Sequence, residues 1–134
     1  MKNRTIATLT AKDIMNPRVE ALKADTKMLN AVRWLLRRGY AGAPVVDEQG
    51  VAIGVLSEHD CIQALVRIAT DDTPDERVDG NMTRELHTVL EAAPVLDVAK
   101  TFAAAKRRRL LVLDQAGHLV GLISRREGAG GRAL

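Results

Sequence analysis

The sequence predicts an α+β fold built from two pseudo-symmetric β-α-β-β-α repeats. Two observations support this prediction: the chain aligns with itself at an offset of 67 residues, and both halves show the same order of strand-like and helix-like apolar patterns. The alignment pairs identical residues at Met15/Met82, Leu29/Leu96, Val45/Val112, Asp47/Asp114, Gly50/Gly117, Gly54/Gly121 and Ser57/Ser124. One fold is therefore predicted to occur twice.

Each repeat is expected to open with a short extended stretch, at residues 19–22 and 86–89, and to continue into a helix. Asp25 or Thr26 is the predicted N-cap of the first helix and Gly39 its C-cap, whereas Pro94 suits the first position of the second helix. Two antiparallel strands follow, at residues 43–46 and 51–56, with copies at 110–113 and 118–123. They are joined by turns that begin with Asp and end with Gly, as hairpin turns often do.

A last helix is predicted from Ser57 to about Ala69 in the first repeat. The second repeat runs almost at once into a glycine-rich segment, so it is predicted to lack most of its final helix. The polar stretch at residues 71–79 contains Pro74 and is the predicted linker. Repeat 1 is therefore expected at residues 1–70 and repeat 2 at residues 80–134.

The composition excludes several classes of protein. Cys61 is the single cysteine of the 134 residues, which excludes an intramolecular disulfide and a cysteine-rich zinc site, and the three histidines lack metal-ligand spacing. An aromatic content of 2% disfavours a stacking platform for single-stranded nucleic acid. No apolar run reaches the roughly 18 residues of a membrane span, and no signal peptide is recognisable, so we expect a cytoplasmic protein without a membrane partner.

Short motifs occur in the same order in both halves. They are Asp13-Ile14-Met15 and, more weakly, Asn81-Met82; Gly42-Ala43-Pro44-Val45-Val46-Asp47; Gly54-Val55-Leu56-Ser57-Glu58-His59-Asp60; and Gly121-Leu122-Ile123-Ser124-Arg125-Arg126-Glu127. Together these motifs resemble the tandem cystathionine-β-synthase (CBS) domain pair, or Bateman module, over about residues 10–127. The resemblance implies two packed CBS domains whose clefts hold AMP, ADP, ATP or S-adenosylmethionine, and frequent dimerisation.

The Ser57-x-x-Asp60 motif has two interpretations. It is typical of a capping box, in which the carboxylate at the fourth position bonds back to the N–H of the cap residue. It also suits a ligand, because a helix N-terminus attracts phosphate and a carboxylate can accept hydrogen bonds from a ribose diol. The resemblance assigns the ribose to Asp60 and the phosphate to Ser57, with Ser124 and Glu127 as their counterparts in the second repeat.

The cluster Lys106-Arg107-Arg108-Arg109 also has two interpretations. Cations at the end of a helix complement its dipole, while the resemblance implies that Arg108 or Arg109 reaches the phosphates of a ligand held by Ser57 and Asp60. The other cleft would pair Glu127 with the uncharged Ala41 and Gly42. The ligand-binding residues expected from the resemblance are Gly42, Ala43, Pro44, Ser57, Asp60, Arg108, Arg109, Ser124 and Glu127.

The function predicted from these features is a stand-alone sensor that binds an adenosine-containing ligand between the repeats and signals to an unidentified effector protein. No catalytic constellation is visible, so neither enzymatic activity nor a cofactor or metal is expected. The alternatives are a ligand-free dimerisation or scaffold module and, with less support, a nucleic-acid binder that uses the arginine cluster. A homodimer is expected, with apolar candidates on or near its interface: Met28, Trp34, Leu35 and Phe102.

Overall fold

The computed structural model describes residues 6–74, 76–105 and 108–124. In chain order, the elements are a 3-10 turn at Ile6–Thr8, α1 at Ala11–Ile14, β1 at Leu22–Lys23, α2 at Met28–Arg38, β2 at Gly42–Val46, β3 at Ala52–Ser57, α3 at Glu58–Asp71, a 3-10 turn at Val78–Gly80, β4 at Thr88–Leu90, α4 at Val95–Ala105, β5 at Arg109–Leu113 and β6 at Leu119–Ser124. The α+β class and the duplicated order of elements are confirmed. The predicted truncation of the last helix falls on residues 125–134, outside the described residues.

Two three-stranded sheets have the same topology. Strands β1 and β4 run parallel to β2 and β5, and each of those pairs antiparallel with the next strand of a hairpin, β3 or β6. In the first hairpin, Oδ1 of Asp47 accepts from the N–H groups of Gln49 and Val51, and Gly50 has a φ of 84°. Asp at the start of the turn thus accepts backbone hydrogen bonds, and Gly at its end adopts a positive φ, as the sequence predicts.

Each compact unit of the structure combines segments of both repeats. Residues 20–86 form a central unit, and residues 6–19 together with 87–124 form a flanking unit. In the central unit, the N–H of Met28 at the start of α2 donates to the carbonyl of Glu76 at 2.8 Å. In the flanking unit, the N–H of Val95 at the start of α4 donates in the same way to the carbonyl of Leu9 at 2.9 Å. The segment that opens each repeat thus packs with the helix and sheet of the other repeat.

These backbone contacts also explain where α2 begins. The residue preceding the helix is Lys27, and not Asp25 or Thr26 as the sequence suggested. The carbonyl of Glu76 satisfies the first helical N–H, and no side chain caps this end of the helix. At the other end, Gly39 adopts the left-handed conformation with a φ of 70°, so the predicted C-cap is confirmed.

Each unit has its own hydrophobic core. The central core contains Leu22, Met28, Ala31, Leu35, Ala43, Val45, Leu56, Cys61, Ala64 and Val78, and the flanking core contains Ala11, Val98, Phe102, Leu110, Val112 and Ile123. Val78 lies in the stretch predicted as a linker, yet it is fully buried. None of the helices in the described part of the chain combines the length and the apolar character that a bilayer crossing requires.

Candidate functional site

The start of α3 holds the carboxylate of Asp60 in a fixed position. Ser57 is the N-cap, and its Oγ accepts from the N–H of Asp60 at 3.1 Å, while the N–H of Ser57 donates to Oδ2 of Asp60 at 2.9 Å. The predicted capping box is therefore present. Oδ1 of Asp60 accepts no hydrogen bond from the described residues, and the side chain is only partly buried. The cap consequently leaves one carboxylate oxygen available to a ligand.

The motif that opens the second repeat lies directly beside this carboxylate. Thr83 and Val55 exchange two backbone hydrogen bonds of 2.9 Å, and Oγ1 of Thr83 lies 3.5 Å from Oδ2 of Asp60. Met82 packs against Gly54, where an added Cβ would lie 2.5 Å from the methionine Sδ. The glycine thus allows the segment at residues 82–83 to approach β3 and to reach Asp60.

A polar cleft of about 660 Å³ opens next to Asp60 in the central unit. Its lining residues are Asp60, Gln63, Arg67, Glu76, Arg77, Asp79, Gly80 and Asn81. Asp60, Gln63 and Arg67 share one face of α3, because residues three and seven positions apart lie along the same side of a helix. The segment at residues 76–81 forms the facing wall.

Both guanidinium groups that line the cleft are engaged with carboxylates. Arg67 donates to both oxygens of Glu76 at 3.3 Å and also to the side-chain oxygen of Asn81. The hydrogen bond from Arg67 is the largest cause that holds the pKa of Glu76 below its ordinary value. Arg77 donates to both oxygens of Asp79, at 3.2 and 2.7 Å. Among the described residues that line the cleft, Asp60 is thus the charged residue without a counter-ion.

Arg84 is a cation near the cleft that is not paired with a carboxylate of the described chain. Its guanidinium donates to the carbonyl oxygen of Asp79 at 3.4 Å, and the side chain is exposed. Neither Thr83 nor Arg84 is among the site residues predicted from the sequence. Their only sequence signal is that they follow Met82, which aligns with Met15.

The predicted site residues of β2 are buried. Gly42 pairs with Ser57 across the hairpin, and a Cβ at Gly42 would lie 2.8 Å from the carbonyl oxygen of Leu56. Ala43 and Pro44 follow it in the strand and are buried too. A role for these residues in ligand binding stays a prediction; Gly42 is the one of the three that lies opposite the Ser57 backbone.

In the flanking unit, Arg109 is the cross-strand partner of Ser124. Arg109 is partly buried, and burial, together with the neighbouring charge of Arg108, lowers the pKa of its guanidinium. Neither arginine forms an ion pair with a described carboxylate. Glu127, Lys106 and Arg107 lie outside the described residues.

The remaining reactive side chains have structural positions. Cys61 is buried in the central core, and burial, with smaller contributions from Asp60 and Glu58, raises the pKa of its thiol. A buried thiol with a raised pKa is a poor nucleophile. Within residues 6–74, 76–105 and 108–124, no cluster of His, Cys, Asp or Glu has the size of a metal site.

Known proteins share both the sequence pattern and the fold. An uncharacterized protein of Methanocaldococcus jannaschii, MJ1225, is 31% identical over 115 residues, which are 84% of this chain and 39% of that protein. The structure of CBSX2 in complex with AMP has a TM-score of 0.71 and 28% identity, and the match covers 87% of this chain and 90% of that one. The cytosolic domain of the Mg²⁺ channel MgtE in complex with ATP has a TM-score of 0.71 and 28% identity, over 86% of this chain and 45% of that one.

The family assignment rests on most of the chain. The family model described as "CBS domain" matches twice, at residues 11–67 and 76–127. The two matches contain both Gly-x-x-Ser hairpin motifs and both strand-turn-strand units described above. This chain therefore belongs to the CBS domain family and is a tandem pair of CBS domains.

Proposed function

We propose that this chain is a regulatory module that binds an adenosine-containing ligand, AMP, ADP, ATP or S-adenosylmethionine, through Asp60. The observation that carries the proposal is the uncommitted Oδ1 of Asp60 beside the cleft. A carboxylate oxygen has two acceptor sites, which suits the two adjacent hydroxyl groups of a ribose.

The capping box supports this role and does not compete with it. Its two hydrogen bonds, at 2.9 and 3.1 Å, fix the carboxylate before a ligand arrives, so that less conformational entropy is lost on binding. The free N–H groups in the first turn of α3 and the positive end of its dipole attract a phosphate near Ser57.

Structural relatives support the class of ligand. CBSX2 and the MgtE cytosolic domain, each 28% identical to this chain, were solved with AMP and ATP. We further propose that Arg108 and Arg109 contribute to phosphate binding, because they are cations without a described counter-ion. Ser124 and Glu127 remain proposed members of a second site.

The output of such a module depends on a difference in affinity. A ligand shifts a conformational equilibrium only by the difference between its affinities for the two states. We propose that the occupied and empty forms differ in how they engage an effector protein, which the chain does not itself identify. The activity of any longer protein that contains this pair would be regulated in the same way.

A homodimer is part of this proposal, but its interface differs from the sequence expectation. Met28, Leu35 and Phe102 are buried in the two cores and are not available as anchors. Exposed apolar side chains lie instead on the neighbouring helices α2 and α3 of the central unit, at Leu29, Leu36, Ile62, Leu65 and Val66. These residues are the proposed dimer face, and they would serve equally in a ligand-free dimerisation module.

A thermal-shift panel separates the sensor from the ligand-free module. The panel contains adenosine, AMP, ADP, ATP and S-adenosylmethionine, with GMP as the control, on protein first shown by mass spectrometry to be free of bound nucleotide. A ligand at 100 times its Kd stabilises the fold by about 2.7 kcal/mol, which raises the melting temperature. If no adenosine compound raises it at millimolar concentration, the sensor proposal fails and the dimerisation module is favoured.

A further inference from the structure

The cleft beside Asp60 extends along α3 in the direction away from the N-cap of the helix. Asp60, Gln63 and Arg67 line the cleft, whereas Ser57 is not among its lining residues. At a rise of about 1.5 Å per residue, Gln63 lies about 4.5 Å and Arg67 about 10 Å further along the helix axis than Asp60. The volume of about 660 Å³ is in the range of small-molecule sites. A ligand held by Asp60 therefore has room on the side away from Ser57.

The covalent structure of a nucleotide directs its base into this space. The base is attached at C1′ of the ribose and the 5′-phosphate at C4′, on opposite sides of the two diol carbons. With the phosphate near Ser57 and the diol on Asp60, the base is directed along the cleft toward Gln63. This step rests on the proposed function, and it leaves the phosphate where that proposal puts it.

Two carboxamides line the described part of the cleft, and only that of Gln63 is uncommitted. The side chain of Gln63 is exposed and forms no hydrogen bond with a described residue. Asn81 uses both ends of its amide, because its oxygen accepts from Arg67 and its NH₂ group donates to the carbonyl of Arg77 at 2.8 Å. Gln63 is therefore the carboxamide that can bind a ligand without breaking a contact of the cleft wall.

We propose that Gln63 binds the base of the ligand and makes the site selective for adenine over guanine. The carboxamide oxygen can accept from the 6-amino group of adenine while its NH₂ group donates to N7. Guanine presents two acceptors, O6 and N7, at the same edge, so one of these two hydrogen bonds is lost. A guanidinium suits that edge of guanine, but Arg67 and Arg77 are each bound to both oxygens of a carboxylate.

The first test is calorimetric titration of AMP and GMP into the parent, Gln63→Ala and Gln49→Ala. The parent is expected to bind AMP about tenfold more tightly than GMP, the order of discrimination that a two-bond contact with a base provides. In Gln63→Ala, which keeps a good helix former on α3, the two affinities are expected to lie within about threefold of each other. Gln49→Ala makes the same change on the exposed turn after β2 and should keep the ratio of the parent.

The outcomes separate this inference from the proposed function. If GMP binds the parent as tightly as AMP, or if Gln63→Ala keeps the preference of the parent, the inference is overturned while ligand binding through Asp60 stands. If neither nucleotide binds the parent, both the inference and the proposed function fail.

The second test changes one atom of the ligand and requires no variant. In 7-deaza-AMP a C–H group replaces N7, while the ribose and the phosphate are those of AMP. The parent is expected to bind 7-deaza-AMP several-fold more weakly than AMP, because the NH₂ group of Gln63 loses its acceptor. Gln63→Ala should bind the two ligands equally, and a loss of folded protein would affect both alike. Equal affinities for the parent would overturn the inference.

Discussion

At the scale of single residues, the repeated glycine and methionine form one packing pair. Met82 packs against Gly54 in the central unit, and Met15 packs against Gly121 in the flanking unit. In both pairs the methionine lies so close that a Cβ on the glycine would clash with it. These four residues are among the identities that revealed the duplication. Their function is to bring each opening segment against the hairpin, and at Gly54 this places Thr83 beside Asp60.

Substitution of Gly54 tests this contact. A Cβ would lie 2.5 Å from Sδ of Met82 and 2.9 Å from the carbonyl oxygen of Thr83, so the opening segment must move. Gly54→Ala is expected to lower the free energy of unfolding by about 1–3 kcal/mol in urea denaturation. Gly80→Ala is the control, since nothing lies within 4 Å of its Cβ position. Equal stability of both variants would contradict the packing role.

At the scale of elements, a cluster of polar and aromatic side chains ties the segment before β1 to the end of α2. Tyr40 donates to Glu20 at 2.6 Å, and Arg38 donates to the same carboxylate at 3.1 Å. The Arg38 guanidinium lies 4.3 Å above the ring centre of Trp34, which meets Tyr40 edge-on at 5.7 Å. Trp34 therefore has packing partners within its own unit, and a role as a dimer anchor is not needed to explain it.

The carboxylate in this cluster makes stability depend on pH. The hydrogen bond from Tyr40, and then that from Arg38, lower the pKa of Glu20 below 4.5, so this interaction stabilises the fold above pH 4.5 and is lost as pH falls through the lower folded value. Tyr40→Phe removes the largest cause. The difference in unfolding free energy between parent and variant is expected to be present at pH 7 and to shrink by pH 3. A difference that is the same at both pH values would contradict the assignment.

At the scale of the whole molecule, the proposed dimer face is exposed enough to be tested without disturbing either core. Leu36 and Val66 are 75% and 60% exposed, so glutamate at both positions should leave the units folded. Light scattering at tens of micromolar is expected to report a dimer for the parent and for Arg37→Glu, an exposed control on α2, but a monomer for Leu36→Glu/Val66→Glu. A monomeric parent would exclude the dimer.

The parts of the fold that the sequence predicted are those with local causes. The Asp47 turn, the Gly39 cap and the Ser57 capping box each depend on a few neighbouring residues, and all three are present. The predicted N-cap of α2, Asp25 or Thr26, is wrong. The first N–H of this helix donates to the carbonyl of Glu76, which is distant in sequence.

The same limit applies to the site. The motif identified Ser57 and Asp60 because they are adjacent on one helix turn. Thr83, Arg84 and the ion-paired wall of the cleft come from a segment more than fifteen residues further along, which no local pattern places beside them. The exchange of opening segments between repeats is likewise non-local, since it depends on hydrogen bonds such as that from Met28 to Glu76.

The most direct test of the account is a calorimetric titration of AMP into the parent, Asp60→Asn and Glu58→Gln. Asp60→Asn keeps one oxygen for the cap and replaces the other with an NH₂ group, while Glu58→Gln removes an exposed carboxylate from the same helix turn. Asp60→Asn is expected to weaken AMP binding about tenfold or more, because the ribose loses a charged acceptor, and Glu58→Gln should stay within about threefold of the parent. If Asp60→Asn, folded as shown by its melting temperature, binds AMP as tightly as the parent, Asp60 does not hold the ligand and the account is contradicted.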